Sequence, residues 1–199
     1  MDPLDFRPAT RAVADLVAGV SDAQLGNPSP CPAYSAADVL DHLGGLCVAF
    51  TAAARKQRLP GAEAGPQVDG SRLEEGWRER IAAALGELAE AWRDPAAYDG
   101  ITQAGPVDLP GDVAALVALN EVVVHGWDLA RATAQDYAPD PHAVAACTAF
   151  VAVFEPPADG PATDGGLFGP PVAAGPDASA LDRLVGATGR DPAWPGSSA

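Results

Sequence analysis

Lysine is almost missing from this chain: Lys56 is the only one, and all Lys and Arg together number 12 against 27 Asp and Glu, for a formal net charge of −15. A surface this acidic is repelled by phosphate backbones and by anionic lipid, which argues against nucleic acid and membrane surfaces as partners. Cysteine is scarce too. Cys31, Cys47 and Cys147 are odd in number and far apart, which excludes a disulfide framework and any Cys-x-x-Cys metal motif and fits a reducing cytoplasm. The opening Met-Asp-Pro-Leu-Asp-Phe-Arg lacks the apolar centre of a secretory signal. No stretch is expected to reach the ~18 apolar residues of a membrane span. Also missing are a Gly-x-Gly-x-x-Gly turn, a phosphate-binding P-loop and a Gly-x-Ser-x-Gly elbow, so dinucleotide binding and serine-nucleophile hydrolysis have no anchor. Convincing strand alternation is absent as well.

What is present is helical periodicity. With 199 residues the chain suits one domain with a tail and can bury a full core. Val13, Leu16, Val17 and Val20 mark a first helix over about 8–20. Ser35-Ala-Ala-Asp38 is a capping-box-like start for a second, running to about Lys56, with Val39, His42, Leu43, Leu46, Cys47 and Phe50 on one stripe. Ser71-Arg-Leu-Glu74 reads as the start of a third, followed by Leu73, Trp77, Ile81, Leu85, Leu88 and Trp92 at three- and four-residue intervals. Residues 95–110 read as loop with a short extended piece at Ile101–Thr102. The most apolar helix follows over about 112–136. A fifth starts at Asp140-Pro141 and stops at Pro156-Pro157, and a short one lies at about 178–187. The pattern predicts an all-α, up-and-down four-helix bundle over residues 1–157. Residues 158–199 are then a Gly/Pro-rich C-terminal extension whose short helix packs on the bundle. Linkers of ten or more residues leave room for crossover connections, and a homodimer is left open.

One run stands out, Asn120-Glu-Val-Val-Val-His-Gly-Trp-Asp128. Residues four apart share a helix face, so Glu121 and His125 point the same way on a stripe otherwise made of Val117, Ala118, Leu129 and Ala132. A carboxylate buried there must be compensated or protonated. A divalent cation would do it, with His42 as third ligand because it too interrupts an apolar stripe. That His2Glu set leaves a position open for water or substrate. A plain Glu–His hydrogen bond would also do it, and the spacing leaves both open. Around this set, Asp38 stands four residues before His42 as a candidate to orient its imidazole, besides its cap role. Arg131 is either a binder of a substrate carboxylate at the bundle mouth or half of an exposed ion pair. Cys31 is a nucleophile, an extra ligand or a buried loop thiol. His142 reads as a surface residue and Cys47 and Cys147 as core.

Four segments, in order, resemble the DinB-like metal-binding bundle family, and within it the mycothiol-dependent branch known for maleylpyruvate isomerase activity. They are Pro30-Cys-Pro-Ala-Tyr-Ser-Ala-Ala-Asp-Val-Leu-Asp-His42, Glu121-Val-Val-Val-His-Gly-Trp-Asp-Leu-Ala-Arg-Ala-Thr133, Gly166-Leu-Phe-Gly-Pro-Pro-Val172 and Leu181 through Trp194. The resemblance implies a bundle holding one metal ion through His42, Glu121 and His125. The ion is zinc by donor type, with nickel and iron as alternatives. It also implies mycothiol as a thiol cosubstrate, held as thiolate and added to an electrophile, which makes a transferase or isomerase. Tyr34 stands where the family carries Trp after Cys-Pro-x, and is the other candidate substrate contact. The family's isomerase has a further C-terminal domain that completes its site, and the proline-broken stretch from Ala158 is expected not to replace it. The alternative function is a metal- or ligand-binding bundle without turnover.

Overall fold

The computed structural model describes residues 3–65, 67–154 and 168–195. Four helices make the bundle: α1 (Arg7–Gly19), α2 (Ala36–Ala54), α3 (Trp77–Ala91) and α4 (Gly111–Ala132). Packing runs α1 on α3, α3 on α2, α2 on α4 and α4 on α1, so the order around the bundle is α1, α3, α2, α4. The connections α1–α2 and α3–α4 therefore cross the bundle diagonal, and their length is what permits it. Helix α5 (Pro141–Ala152) packs outside on α4, and α6 (Ala180–Ala187) packs on α5. The all-α bundle read from the sequence is the fold. Its 157/158 boundary and the Pro156-Pro157 stop lie outside the described residues. Beyond that gap, Phe168 packs edge-on against Phe150 and Phe154, and the Val172 N–H donates to the Gly186 carbonyl, which fixes the tail to α5 and α6.

Local chemistry explains most helix ends. At α2 the Ser35 hydroxyl accepts from the Asp38 N–H while the Asp38 carboxylate accepts from the Ser35 N–H, a reciprocal cap. Ser179 and Asp182 repeat it at α6, and Asp140 caps α5 ahead of Pro141. Helix α3 departs from expectation. Residues 70–72 form only a 3-10 turn, and the α-helix begins at Trp77. Tertiary contacts override the local box: Asp38 accepts from the Gly70 N–H at 2.8 Å, Asp41 from the Asp69 N–H at 3.0 Å, and Arg72 reaches Asp41 at 2.7 Å. The segment is pinned to the start of α2 and turns into α3 only at Gly76, whose φ of +77° suits glycine.

A second departure is a hairpin. Ile101–Ala104 (β1) and Val107–Pro110 (β2) pair antiparallel, with Ala104 opposite Val107. The expected extended piece was the first half of β1. Four-residue strands with one buried side chain, Thr102, give no readable alternation. The Thr102 hydroxyl donates to the Ala53 carbonyl at 2.6 Å, so the hairpin leans on the end of α2.

The core holds Leu40, Leu43, Leu85, Leu88, Leu119 and Leu129, each at 1% exposure or less. Trp92 stacks on Phe6 with centroids 5.9 Å apart and meets Tyr98 edge-on. Contrary to expectation, α2 and α4 are each long and apolar enough, by length and composition, to cross a membrane. Half of the most apolar window of α2 and 78% of that of α4 are buried within the bundle, so core packing accounts for much of this apolarity. Leu85→Ala removes a fully buried side chain from α3. We expect it to cost about 2–5 kcal/mol, read as a lower denaturant midpoint at unchanged m-value.

Candidate metal centre

Helices α2 and α4 are direct neighbours, and that adjacency brings His42 to the Glu121–His125 face. Glu121 Oε2 lies 3.1 Å from His125 Nε2 and 3.6 Å from His42 Nε2. The two imidazoles stand edge to face with centroids 4.7 Å apart. All three donor atoms lie within 4.8 Å of one another. Two ligands at 2.0–2.1 Å on one tetrahedral ion are separated by ~3.4 Å, so the observed spacings bracket what such an ion requires. The two histidine side chains are 10% and 7% exposed and Glu121 is 23% exposed: the cluster is sunk in the bundle, with the carboxylate at its open edge.

The other nitrogen of His125 is held as well. Nδ1 lies 2.9 Å from Asp128 Oδ2, one turn further along α4, and the Asp128 side chain has no exposure at all. Arg190 reaches the same oxygen at 3.1 Å. It arrives from the tail. Helix α6 ends at Thr188, Gly189 turns the chain at φ +87°, and the Arg190 N–H bonds back to the Val185 carbonyl. Arg190, Asp128, His125 and Glu121 thus form one buried chain of alternating charge. Burial works against the imidazolium, yet hydrogen bonds to Asp128 and Glu121 outweigh it and raise His125 from 6.5 to about 9. Burial likewise works against the Glu121 carboxylate, but His125 and His42 hold it well below the ordinary carboxylate range. Without an ion, a proton on His125 joins two carboxylates. With one, the Asp128 bond keeps the remaining proton on Nδ1 and leaves the Nε2 lone pair facing the metal. Two carboxylates, one guanidinium and a divalent cation leave the set at a net charge of +1, which favours an anionic fourth ligand.

Cys31, His125 and Asp128 form a second close group. It does not suit a cation, because Arg190 already stands in it, 3.8 Å from Cys31 Sγ as well as bonded to Asp128. Burial pushes the Cys31 thiol up to about 11, so it is protonated at neutral pH and is not the activated nucleophile weighed above.

The remaining expectations divide. Tyr34 does border the centre, its ring edge-on to His42 at 6.0 Å. Asp38 does not orient His42: its oxygens are taken by the Ser35 hydroxyl and N–H of its own cap and by the Gly70 N–H. Among the described residues, Arg131 makes neither an exposed ion pair nor a contact with the cluster. Its guanidinium lies over Trp127 and donates to the Trp194 carbonyl. His142 is exposed, and Cys47 and Cys147 are buried. Sequence reasoning gave neither Arg190 nor Asp128 a part in the site. The readable signal was His125-x-x-Asp128, a spacing that returns to the same helix face.

Two outcomes follow. Asp128→Asn is expected to weaken Zn2+ binding about 10–100-fold in competition with a chelating dye, whereas Asp38→Asn leaves that affinity unchanged and lowers the melting temperature. For pH, His125 binds its proton more tightly folded than unfolded. Chelator-treated protein should therefore hold the full contribution of His125 to stability below about pH 6.5 and lose it as pH rises through about 9. Urea midpoints at pH 6, 7.5 and 9 test this, and saturating Zn2+, which takes the place of the proton, should abolish the decline.

Uncharacterized proteins from two strains of Mycobacterium tuberculosis, CDC 1551 / Oshkosh and ATCC 25618 / H37Rv, are 30% identical over 163 residues, 81% of this chain and 84% of theirs. A crystal structure of the mycothiol-dependent maleylpyruvate isomerase superposes with a TM-score of 0.48 at 18% identity. The match covers 62% of this chain and 57% of that one, so this chain spans little more than half of that protein's length. The family model described as the mycothiol maleylpyruvate isomerase N-terminal domain matches residues 6–130, more than half of the chain, and the chain belongs to that family.

Proposed function

We propose that this protein binds one divalent metal ion through His42, Glu121 and His125 and works as a thiol-dependent enzyme. It would take mycothiol as cosubstrate and act on an electrophile as a transferase or isomerase. The observation that carries this reading is the convergence of three donor atoms from two helices, at 3.1 and 3.6 Å, with no lysine or arginine of the described residues bonded to His42 or Glu121. Zinc is the ion that two imidazoles and one carboxylate suit first. The ion supplies a position at which a thiol is held as its thiolate near neutral pH.

The chain's own residues set the conditions. Asp128 fixes the His125 ring and keeps its proton on Nδ1. Arg190 pairs with Asp128 at 3.1 Å and offsets the charge of this fully buried side chain. Val123, Val124 and Leu129 on α4 are all at 2% exposure or less, so the helix that carries Glu121 and His125 lies deep in the bundle. Glu121 stands at the open side, and the Tyr34 ring lies edge-on to His42. Cys31, protonated and beside Arg190, takes no part as a nucleophile. The negative charge of the surface fits small-molecule partners in the cytoplasm and not nucleic acid or membrane.

Elemental analysis of the purified protein is expected to find roughly one zinc, nickel or iron ion per chain. The metal-loaded protein should consume mycothiol in the presence of a chloro-dinitroarene, and His125→Ala should reduce this to the uncatalysed rate. Undiminished consumption by His125→Ala would sink the assignment of the centre. Bound metal without consumption would leave a metal-binding bundle that does not turn over.

A further inference from the structure

A cavity of about 460 Å3 opens on one side of the His42–Glu121 pair, within the size range of small-ligand sites. Leu46, Ala49 and Phe50 of α2, Val117 of α4, Leu59 and Pro106 give it a largely apolar wall. Its polar side chains are His42, Glu121, Asp41 and Gln67, and among the described lining residues there is no lysine and no arginine. The nearby cations are engaged elsewhere. Arg72 clamps Asp41 and the Gln67 carbonyl, and Arg58 pairs with Asp108. Arg190 lies on the far side of His125, against Asp128. Arg131, the residue the sequence offered for a substrate carboxylate, is turned onto Trp127 and the Trp194 carbonyl.

A carboxylate taken into this cavity would lose water, find no cationic side chain and face Glu121 and Asp41. An uncharged apolar group of the same shape pays none of those costs and gains contact with the wall. We infer that this cavity is the electrophile subsite and that it selects uncharged, apolar electrophiles, aromatic or alkyl, over carboxylates. The inference rests on the proposed function for the word electrophile. The charge selectivity rests on the wall alone and sets this chain apart from an enzyme built for an anionic keto acid. The hairpin turn at Gly105-Pro106 and the segment 59–62 complete the cavity's lining.

Matched probes test it: methyl 1-naphthoate and 1-naphthoate, titrated by equilibrium dialysis against full-length protein in EDTA, so that the wall is read and not a bound ion. The ester is expected to bind at least about tenfold more tightly than the carboxylate. Ala49 is half-buried on the wall, so Ala49→Trp should fill the space and cut ester binding by about tenfold. Ala49→Arg should reverse the preference towards the carboxylate. Circular dichroism checks that both variants fold. Equal or tighter binding of the carboxylate to the unmodified protein overturns the inference. So does ester affinity untouched by either substitution, or failure of the ester to bind at all. Because no metal or thiol is present, these results stand apart from metal content and thiol consumption. Loss of turnover with this binding pattern intact would refute the catalytic reading only, and turnover without it would refute the selectivity only.

Discussion

Everything near the centre depends on the need to compensate two carboxylates that α4 carries into the bundle. Asp128 has no exposed surface and Glu121 lies between two imidazoles. Left unpaired, each would cost several kcal/mol or be forced to protonate. The remedy is a sequence of partners drawn from three parts of the chain. Helix α2 brings His42, α4 brings His125, and the segment after α6 brings Arg190. The charges alternate along the line Arg190, Asp128, His125, Glu121, and the end of that line is the one place where the alternation asks for a further cation. Seen this way, the metal position is the continuation of a charge pattern that begins in the tail.

The same constraint explains why the tail matters. Taken as sequence, residues beyond the fifth helix look like a proline-broken appendix, and they were expected not to replace the further domain of the family's isomerase. The packing of Phe168 on Phe150 and Phe154, the bond from Val172 to Gly186, and the burial of Leu184 and Val185 give that segment a fixed seat. Only from a fixed seat can an arginine deliver its charge to a buried acid at 3.1 Å, because a side chain free to sample solvent would not stay to neutralise it.

How far the sequence reveals this follows from what each feature depends on. Helix stripes such as Leu85, Leu88 and Trp92, and the Ser35–Asp38 cap, are set by neighbours three or four residues away, and they are readable. The pair Glu121 and His125 is local in the same sense, and His42 was found because it interrupts an apolar stripe. What failed was non-local. Residues 70–72 carry a helix-start pattern, yet backbone bonds to Asp38 and Asp41 thirty residues away hold them out of the helix. Asp38 was a candidate to orient His42 by spacing, but its lone pairs are spent on its own cap and on Gly70. Arg131 seemed placed for a substrate carboxylate, but Trp127 and the Trp194 carbonyl hold it. Arg190 is 62 residues from its partner Asp128, and no periodicity reports such a distance.

The two sides of the cluster are unlike, and that difference gives the site a direction. Behind His125 the surroundings are charged, closed and fully paired, with Arg190 and Asp128 locked together and Cys31 kept neutral. In front of Glu121 lies open apolar volume without a cation. Groups that must stay fixed are on the side where the Asp128 side chain has no exposure and both of its partners are in place. Groups that would have to enter and leave face the side bounded by a hairpin turn and a glycine-containing loop. A bundle whose interior were uniformly apolar could not make this distinction, and one whose interior were uniformly charged would not fold. By confining its buried charges to one line ending at Glu121, this chain keeps the leucine and alanine packing that holds four helices together and still presents one coordination face to a cavity.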